Sequence, residues 1–140
     1  MRGRRRGDAS EDRWQRRDWW NVVLDSPDPH ALAAFYSALL GWPLWLPEGQ
    51  TEPDPGGAAI DPGEGVGGIA FQLDEDYVRP AWPAPPGSQR MMMHLDLQVD
   101  DLAEAVAHAV ELGAEVADHQ PQDDVRVMLD PDGHPFCLYT

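Results

Sequence analysis

Three side chains in the second half of the sequence are of types that can do chemistry, namely His94, Asp96 and Cys137. His94 and Asp96 are two residues apart in an alternating run, so on a strand both lie on one face, where the carboxylate can orient the imidazole. An imidazole titrates near neutral pH, which suits it to abstract a proton beside a carbonyl group or to bind a metal. The structural alternatives are a histidine hydrogen-bonded within the sheet and a cysteine packed as a small apolar residue.

These residues belong to an internal repeat, and such a repeat restricts the fold more strongly than any single motif. Asn21 opens a short apolar run that is followed by a helical pattern ending at Gly41. His94 opens a matching run that is followed by a helical pattern ending at Gly113. The two halves are therefore expected to fold as two copies of one module.

Each half also closes on a strand-like run, residues 68–73 in the first half and 133–138 in the second. Aligning the two halves predicts four equivalent positions at which a pseudo-symmetric site would lie, and these are occupied by Asn21, Gln72, His94 and Cys137.

Local signals predict the elements that position these residues. Asp28 followed by Pro29 begins one helix, and Asp101 with Glu104 three residues later forms a capping box for the other. Residues 130–133 form a turn by composition, and His134 beside it is expected to bond backbone or solvent. Strands are predicted at 19–25, 42–46, 58–61, 67–74, 91–99, 114–118, 125–129 and 135–140.

Each half thus reads strand, helix and three strands, an α+β pattern. Neither half can bury a sheet face alone, so the halves must pair, either within one chain or across a dimer. The predicted organisation is a disordered basic tail at 1–17 and one domain at 18–140, with module one at 18–75, a proline-rich linker at 76–89 and module two at 90–140.

Charge and composition exclude several classes of function. The tail carries seven Arg against three acids (7 − 3 = +4), whereas the remainder carries three Arg against 22 acids (3 − 22 = −19). A body this acidic repels phosphate backbones, which argues against nucleic-acid binding by the folded part. No apolar run is long enough for a membrane span, no signal peptide is visible, and the single cysteine is typical of a reducing cytoplasm.

The motifs of both halves resemble those of the vicinal oxygen chelate superfamily, which contains glyoxalase I, bleomycin-resistance proteins and extradiol dioxygenases. The likeness covers residues 19–140 and is greatest to the glyoxalase-like domain branch. It implies two paired βαβββ modules whose sheets curl into a cup, often completed as a homodimer. The residues that carry it are Asp25-Ser26-Pro27-Asp28-Pro29, Phe35-Tyr36, Leu39-Leu40-Gly41-Trp42, His94-Leu95-Asp96-Leu97, Val99-Asp100-Asp101-Leu102 and Asp130-Pro131-Asp132-Gly133-His134-Pro135-Phe136-Cys137-Leu138.

In metal-dependent members, one ligand comes from the first strand and one from the last strand of each module. The resemblance therefore implies a divalent metal (zinc, nickel or iron) on His94 and Cys137, although the sequence itself requires no cofactor. Asn21 and Gln72 are neutral amides and poor metal ligands, so they are expected to hydrogen-bond a ligand carbonyl or each other. Trp45 and Trp82, in or near loops, are expected to line the mouth of a pocket, with packing at the rim of the core as the alternative.

Three functions remain open. The first is a lyase or isomerase acting on a small carbonyl compound, with His94 as base or ligand and Asp96 beside it. The second is a non-catalytic protein that sequesters a small ligand or a drug, as bleomycin-resistance proteins do, for which an acidic cup with aromatic edges suits a cationic aromatic compound. The third is a partner-binding protein with an empty cup.

Overall fold

Two stretches of the chain repeat the order of strand, helix and further strands. The computed structural model describes residues 21–46, 49–62, 67–88 and 93–140, so the predicted tail at 1–17 and the start of the first predicted strand lie outside the described residues. The elements are β1 Asn21–Ser26, α1 Pro29–Leu40, β2 Gly57–Ile60, β3 Gly68–Leu73, β4 Leu95–Gln98, α2 Leu102–Glu111, β5 Glu115–Val116, β6 Val125–Leu129 and β7 Pro135–Tyr139.

The strands form two sheets with related topology. The first sheet has the order β1-β3-β2 and the second the order β4-β7-β6-β5. In each sheet the first strand of the module runs parallel to the last, with Asn21 opposite Gly68 in one and Leu95 opposite Phe136 in the other. Parallel neighbours need a long crossover, which α1 and α2 supply. The predicted α+β fold is confirmed.

The strand predicted at 42–46 is wrong in its extent, because it is reduced to one bridge between Leu44 and Ile60. The amide of Trp45 donates to the carbonyl of Ala59 at 2.9 Å, and the amide of Asp61 donates to the carbonyl of Pro43 at 2.9 Å. Pro43 has no N–H to extend a ladder. Among the described residues, module one is therefore βαββ with a bridge, whereas module two has all the predicted elements.

Both helices begin and end as their sequences predict. The Asp28 carboxylate accepts from the amide of Ala31 at 3.0 Å, and the Asp101 carboxylate accepts from the amide of Glu104 at 3.0 Å. Gly41 ends α1 with φ 67°, in the left-handed region that favours glycine. These caps fix where each helix starts relative to the strand before it.

One hydrophobic core serves both modules. Tyr36 of α1 stacks on Phe71 of β3 at 5.6 Å between ring centroids, and Phe35 of α1 meets Phe136 of β7 edge to face at 6.3 Å. Phe136 is fully buried, and full burial of such a ring stabilises the fold by roughly 1.5 to 3 kcal/mol. Phe136 of module two thus packs against the helix of module one, so the two modules share one core within one chain.

None of the helices that the structure describes is long and apolar enough to cross a membrane.

Candidate functional site

His94, directly before β4, and Asp96, within it, lie together as their spacing predicts. The distance from His94 Nε2 to Asp96 Oδ1 is 3.1 Å, and their side chains are 38 % and 60 % exposed. Because a carboxylate oxygen only accepts, a hydrogen bond across this contact requires the hydrogen on Nε2. No bond to Nδ1 is found among the described residues, which leaves this nitrogen free to accept a proton from a ligand.

The parallel pairing of β4 with β7 adds the cysteine. Cys137 lies directly opposite Asp96, and the ligand atoms of His94, Asp96 and Cys137 all lie within 4.8 Å of one another. Burial, the charge of Asp96 and a hydrogen bond to Asp96 together raise the pKa of the Cys137 thiol. The thiol is therefore protonated near neutral pH and is a weak nucleophile, because the thiolate is the reactive form. We refer to these three residues as the β4–β7 cluster.

The donor set of the β4–β7 cluster suits zinc. Nitrogen, oxygen and sulfur ligands at zinc distances lie about 3.3 to 3.8 Å from one another in a tetrahedral site, and the three ligand atoms here lie within 4.8 Å of one another. A zinc ion on three protein ligands retains an open position, as catalytic sites do. The predicted pair of ligands, His94 and Cys137, therefore gains Asp96 as a third from the same module.

The two amides of module one, Asn21 and Gln72, lie on strands of the first sheet, whereas the β4–β7 cluster belongs to the second sheet. Asn21 lies opposite Gly68, and a Cβ added at Gly68 would collide with the Asn21 side-chain oxygen. Gln72 lies opposite Asp25. A side chain at position 68 would require the Asn21 amide to move.

The predicted equivalence of Gln72 and Cys137 is wrong by two residues. The helix caps Asp28 and Asp101 are equivalent positions whose residue numbers differ by 73 (101 − 28). Asp96 of module two therefore corresponds to position 23 of module one (96 − 73). Position 23 pairs with Ala70. Ala70 is thus the counterpart of Cys137. A shift of two residues keeps every side chain on the same face, so hydrophobic alternation alone cannot detect it.

The two tryptophans predicted at a pocket mouth differ in exposure. Trp45 is 42 % exposed beside the bridge to β2. Trp82 is half-buried, and its indole Nε1 is buried with no hydrogen-bond partner among the described residues. Buried donors are nearly always paired, so the Trp82 N–H is available to an acceptor on a ligand or a water molecule. A ligand-binding role for both residues stays a prediction.

A second polar cluster is centred on Asp130, and it was not predicted from the sequence. The Asp130 side chain is 0 % exposed, and it accepts from the Tyr36 hydroxyl at 3.0 Å and from both the amide and the ring of His134, at 2.9 Å each. His134 therefore bonds a buried carboxylate, whereas backbone or solvent was predicted. The sequence did contain a signal for this pair. Asp130 and His134 are four residues apart on either side of a predicted turn, and such a turn brings the two side chains together.

A family model for a glyoxalase-like domain matches residues 21–139. The fold is similar to that of a glyoxalase/bleomycin resistance protein/dioxygenase family enzyme from Burkholderia phytofirmans PsJN, with a TM-score of 0.61 and 21% identity over 84% of this chain and 94% of that one. It is also similar to a glyoxalase/dioxygenase from Nostoc punctiforme, with a TM-score of 0.62 and 21% identity over 87% of this chain and 89% of that one.

A third similar structure is the glyoxalase family protein from Enterococcus faecalis, with a TM-score of 0.58 and 20% identity over 89% of this chain and 98% of that one. At these identities the structures support the fold alone. No curated protein matches the chain.

Proposed function

Because the chain belongs to the glyoxalase-like domain family of the vicinal oxygen chelate superfamily, we propose that it is an enzyme acting on a small carbonyl compound, as a lyase or an isomerase. His94 is the general base in this proposal and Asp96 is the residue that orients it. A small-molecule ligand in the cup and a homodimer belong to the same proposal.

The observation that carries the proposal is the 3.1 Å contact between His94 Nε2 and Asp96 Oδ1. This contact supports the tautomer with hydrogen on Nε2, in which the lone pair of Nδ1 is left for the substrate. When Nδ1 takes a proton, the imidazolium that forms is stabilised by the adjacent carboxylate, and this lowers the barrier to proton abstraction.

The proton and the electron pair then have defined destinations. His94 Nδ1 removes a proton from the carbon next to the substrate carbonyl, and the electron pair of that C–H bond forms an enolate. An isomerase returns the proton from His94 to a neighbouring atom of the enolate. A lyase expels a leaving group from the adjacent carbon, and the proton on His94 can then neutralise that group. The amides of Asn21 and Gln72 are proposed to hydrogen-bond the substrate oxygen.

In the metal-dependent alternative, His94 would be a ligand rather than the base, and a divalent metal bound to the β4–β7 cluster would polarise the substrate carbonyl as a Lewis acid. We expect Co²⁺, used as a spectroscopic probe for zinc, to bind with one equivalent per chain and to give a thiolate charge-transfer band. Binding should be lost in Cys137→Ser. It should be retained in Asp100→Asn, a control change at an exposed acidic residue that follows β4. Titration that gives no band at millimolar Co²⁺ would show that the cluster is not a metal site.

The experiment that tests the proposed reaction is solvent exchange. Enolisable aldehydes, ketones and 2-oxo acids are incubated with the full chain in D₂O, and deuterium at the carbon next to the carbonyl is followed by NMR. A compound of this class should exchange faster with the protein than without it. If no such compound exchanges faster, the catalytic proposal is wrong.

The second candidate, a non-catalytic protein that sequesters a cationic aromatic ligand, is favoured by the excess of acidic residues. The buried Trp82 N–H, which has no partner among the described residues, would donate to an acceptor atom of such a ligand. Calorimetry separates the two candidates. Micromolar binding of a cationic aromatic compound without any solvent exchange supports sequestration, whereas exchange without such binding supports the enzyme.

A further inference from the structure

The polar cluster around Asp130 joins parts of the molecule that are far apart in the sequence. The Tyr77 hydroxyl lies 2.8 Å from the backbone oxygen of Asp132 and 3.2 Å from His134 Nε2. His134 Nδ1 lies 2.9 Å from Asp130 Oδ2, to which the Tyr36 hydroxyl donates at 3.0 Å. Tyr36 belongs to α1 and Tyr77 to the segment after β3, whereas Asp130 and His134 flank the turn between β6 and β7. The cluster therefore joins module one to module two.

Counting hydrogens assigns the protonation state of His134. A backbone carbonyl only accepts, so the single hydroxyl hydrogen of Tyr77 goes to the oxygen of Asp132. The His134 Nε2 contact with Tyr77 can then form only if Nε2 carries a hydrogen. The other ring nitrogen faces the Asp130 carboxylate, which also only accepts. Both ring nitrogens are therefore donors, which is the imidazolium form.

The Asp130 carboxylate is surrounded by donors. Its Oδ1 accepts from the amides of Asp132 at 3.0 Å and His134 at 2.9 Å, and its Oδ2 accepts from Tyr36 and from the His134 ring. A protonated carboxyl would have to direct its hydrogen at one of these donors. The ionised form fits this environment, and a buried carboxylate needs a nearby positive charge, which the imidazolium provides.

We propose that Asp130, His134 and Tyr77 form a proton-operated clasp, which holds the two modules together while His134 is an imidazolium and loosens when His134 loses its second proton. In the neutral state the Tyr77 hydrogen can serve either the Asp132 oxygen or His134 Nε2, so one contact is lost. The buried Asp130 carboxylate loses its counter-charge at the same time.

The charged groups around His134 act in opposing directions. Burial of the ring lowers the pKa of His134. The pKa is raised by the hydrogen bond to Asp130, by the charges of Asp130 and Asp132, and by a hydrogen bond to the backbone of Asp25. The net result is a raised pKa. Arg79 is the nearby cation, and its Nη1 donates to the Pro131 oxygen at 2.7 Å.

Two further groups border the clasp. Ser26 at the end of β1 donates its hydroxyl to the Asp132 carboxylate at 2.6 Å, which fixes that carboxylate beside the turn. The pKa of Tyr77 is raised, first by burial and then by the charges of Asp130 and Asp132, so its hydroxyl keeps its hydrogen throughout the range in which His134 titrates.

The sign of the effect on stability follows from linkage. A histidine whose folded-state pKa exceeds its unfolded value stabilises the fold fully below about pH 6.5, and this contribution disappears as the pH rises through the folded-state pKa. The clasp therefore predicts a fold that becomes less stable above neutral pH and modules that are held most firmly in mildly acidic solution.

The test is urea unfolding of the full chain at several values between about pH 6 and pH 9, a range above the titration of ordinary carboxylates. The unfolding midpoint of the natural sequence should fall as the pH rises, and the fall should be absent in His134→Gln. His119→Gln, a matched change at an exposed histidine, should retain it. A midpoint that falls equally in all three proteins would overturn the proposal.

A second measurement does not depend on the stability of His134→Gln. Nitrogen-15 NMR of the histidine rings reports both ring nitrogens of His134 directly. Both should be protonated at about pH 6.5, where an unperturbed histidine is half titrated. Tyr77→Phe removes one acceptor of the Nε2 hydrogen, so the titration midpoint of His134 should move to lower pH. A neutral His134 ring at that pH, or a midpoint that Tyr77→Phe leaves unchanged, would refute the clasp.

Discussion

Replacing Asp130 with asparagine should destabilise the fold by about 3 to 5 kcal/mol, the usual effect of removing one partner of a buried ion pair. The side chain is 0 % exposed and its two oxygens accept from Tyr36, from the His134 ring and from two backbone amides. Asparagine has nearly the same size, but its NH₂ group would face at least one of these donors. The imidazolium of His134 would also lose its buried counter-charge.

Urea unfolding at about pH 6, a pH at which His134 carries its positive charge, measures this effect. Asp118→Asn is the matched control, because Asp118 is exposed and the same substitution there should change the free energy of unfolding by less than about 0.5 kcal/mol. If Asp130→Asn does not fold, Tyr36→Phe removes only one bond and should cost about 1 to 2 kcal/mol. A loss at Asp130 no larger than that at Asp118 would contradict the buried ion pair.

The second large effect is expected at His94. His94→Gln should lower the rate of solvent exchange on an accepted carbonyl substrate by about 10²-fold to 10⁴-fold, because glutamine cannot take a proton and a positioned base contributes about this much. Asp96→Asn should cause a smaller loss, because it keeps the base and removes only the carboxylate beside it. The stability of the fold should change little in either variant, since both side chains are substantially exposed.

NMR of deuterium incorporation measures the rates, and His108→Gln is the control. His108 is an exposed residue of α2, so its loss should leave exchange unchanged. Equal activity of the natural sequence and His94→Gln would remove His94 from the mechanism. Activity that is lost equally in His94→Gln and His108→Gln would point to a general loss of folding, which the unfolding curves would reveal.

Much of the architecture was predictable because its signals are local. The caps at Asp28 and Asp101, the left-handed Gly41 and the turn at 130–133 depend on residues within a few positions of one another, and the structure confirms each of them. The proximity of His94 and Asp96 is local in the same sense, since two residues on one strand always share a face. The sequence by itself therefore determined the module, its helices and the His94–Asp96 pair.

Other features depend on how distant strands align, and only the tertiary structure decided them. The parallel register that brings Cys137 opposite Asp96 also makes Ala70, rather than Gln72, its counterpart. A shift by two residues preserves the alternation of buried and exposed side chains, so the sequence pattern is the same for either register.

The residues of the clasp also divide into those that the sequence places together and those that only the tertiary structure brings together. Asp130 and His134 adjoin the turn that the sequence predicts, but Tyr36 comes from module one and Tyr77 from the linker, and no local pattern specifies that their hydroxyls reach that turn. The position of Tyr36 depends on the core that both modules share, where Phe35 of α1 meets Phe136 of β7. The sequence determined which groups can ionise, whereas the tertiary structure decided which carboxylate is buried beside which imidazole, because burial and pairing across modules arise only when the core is formed.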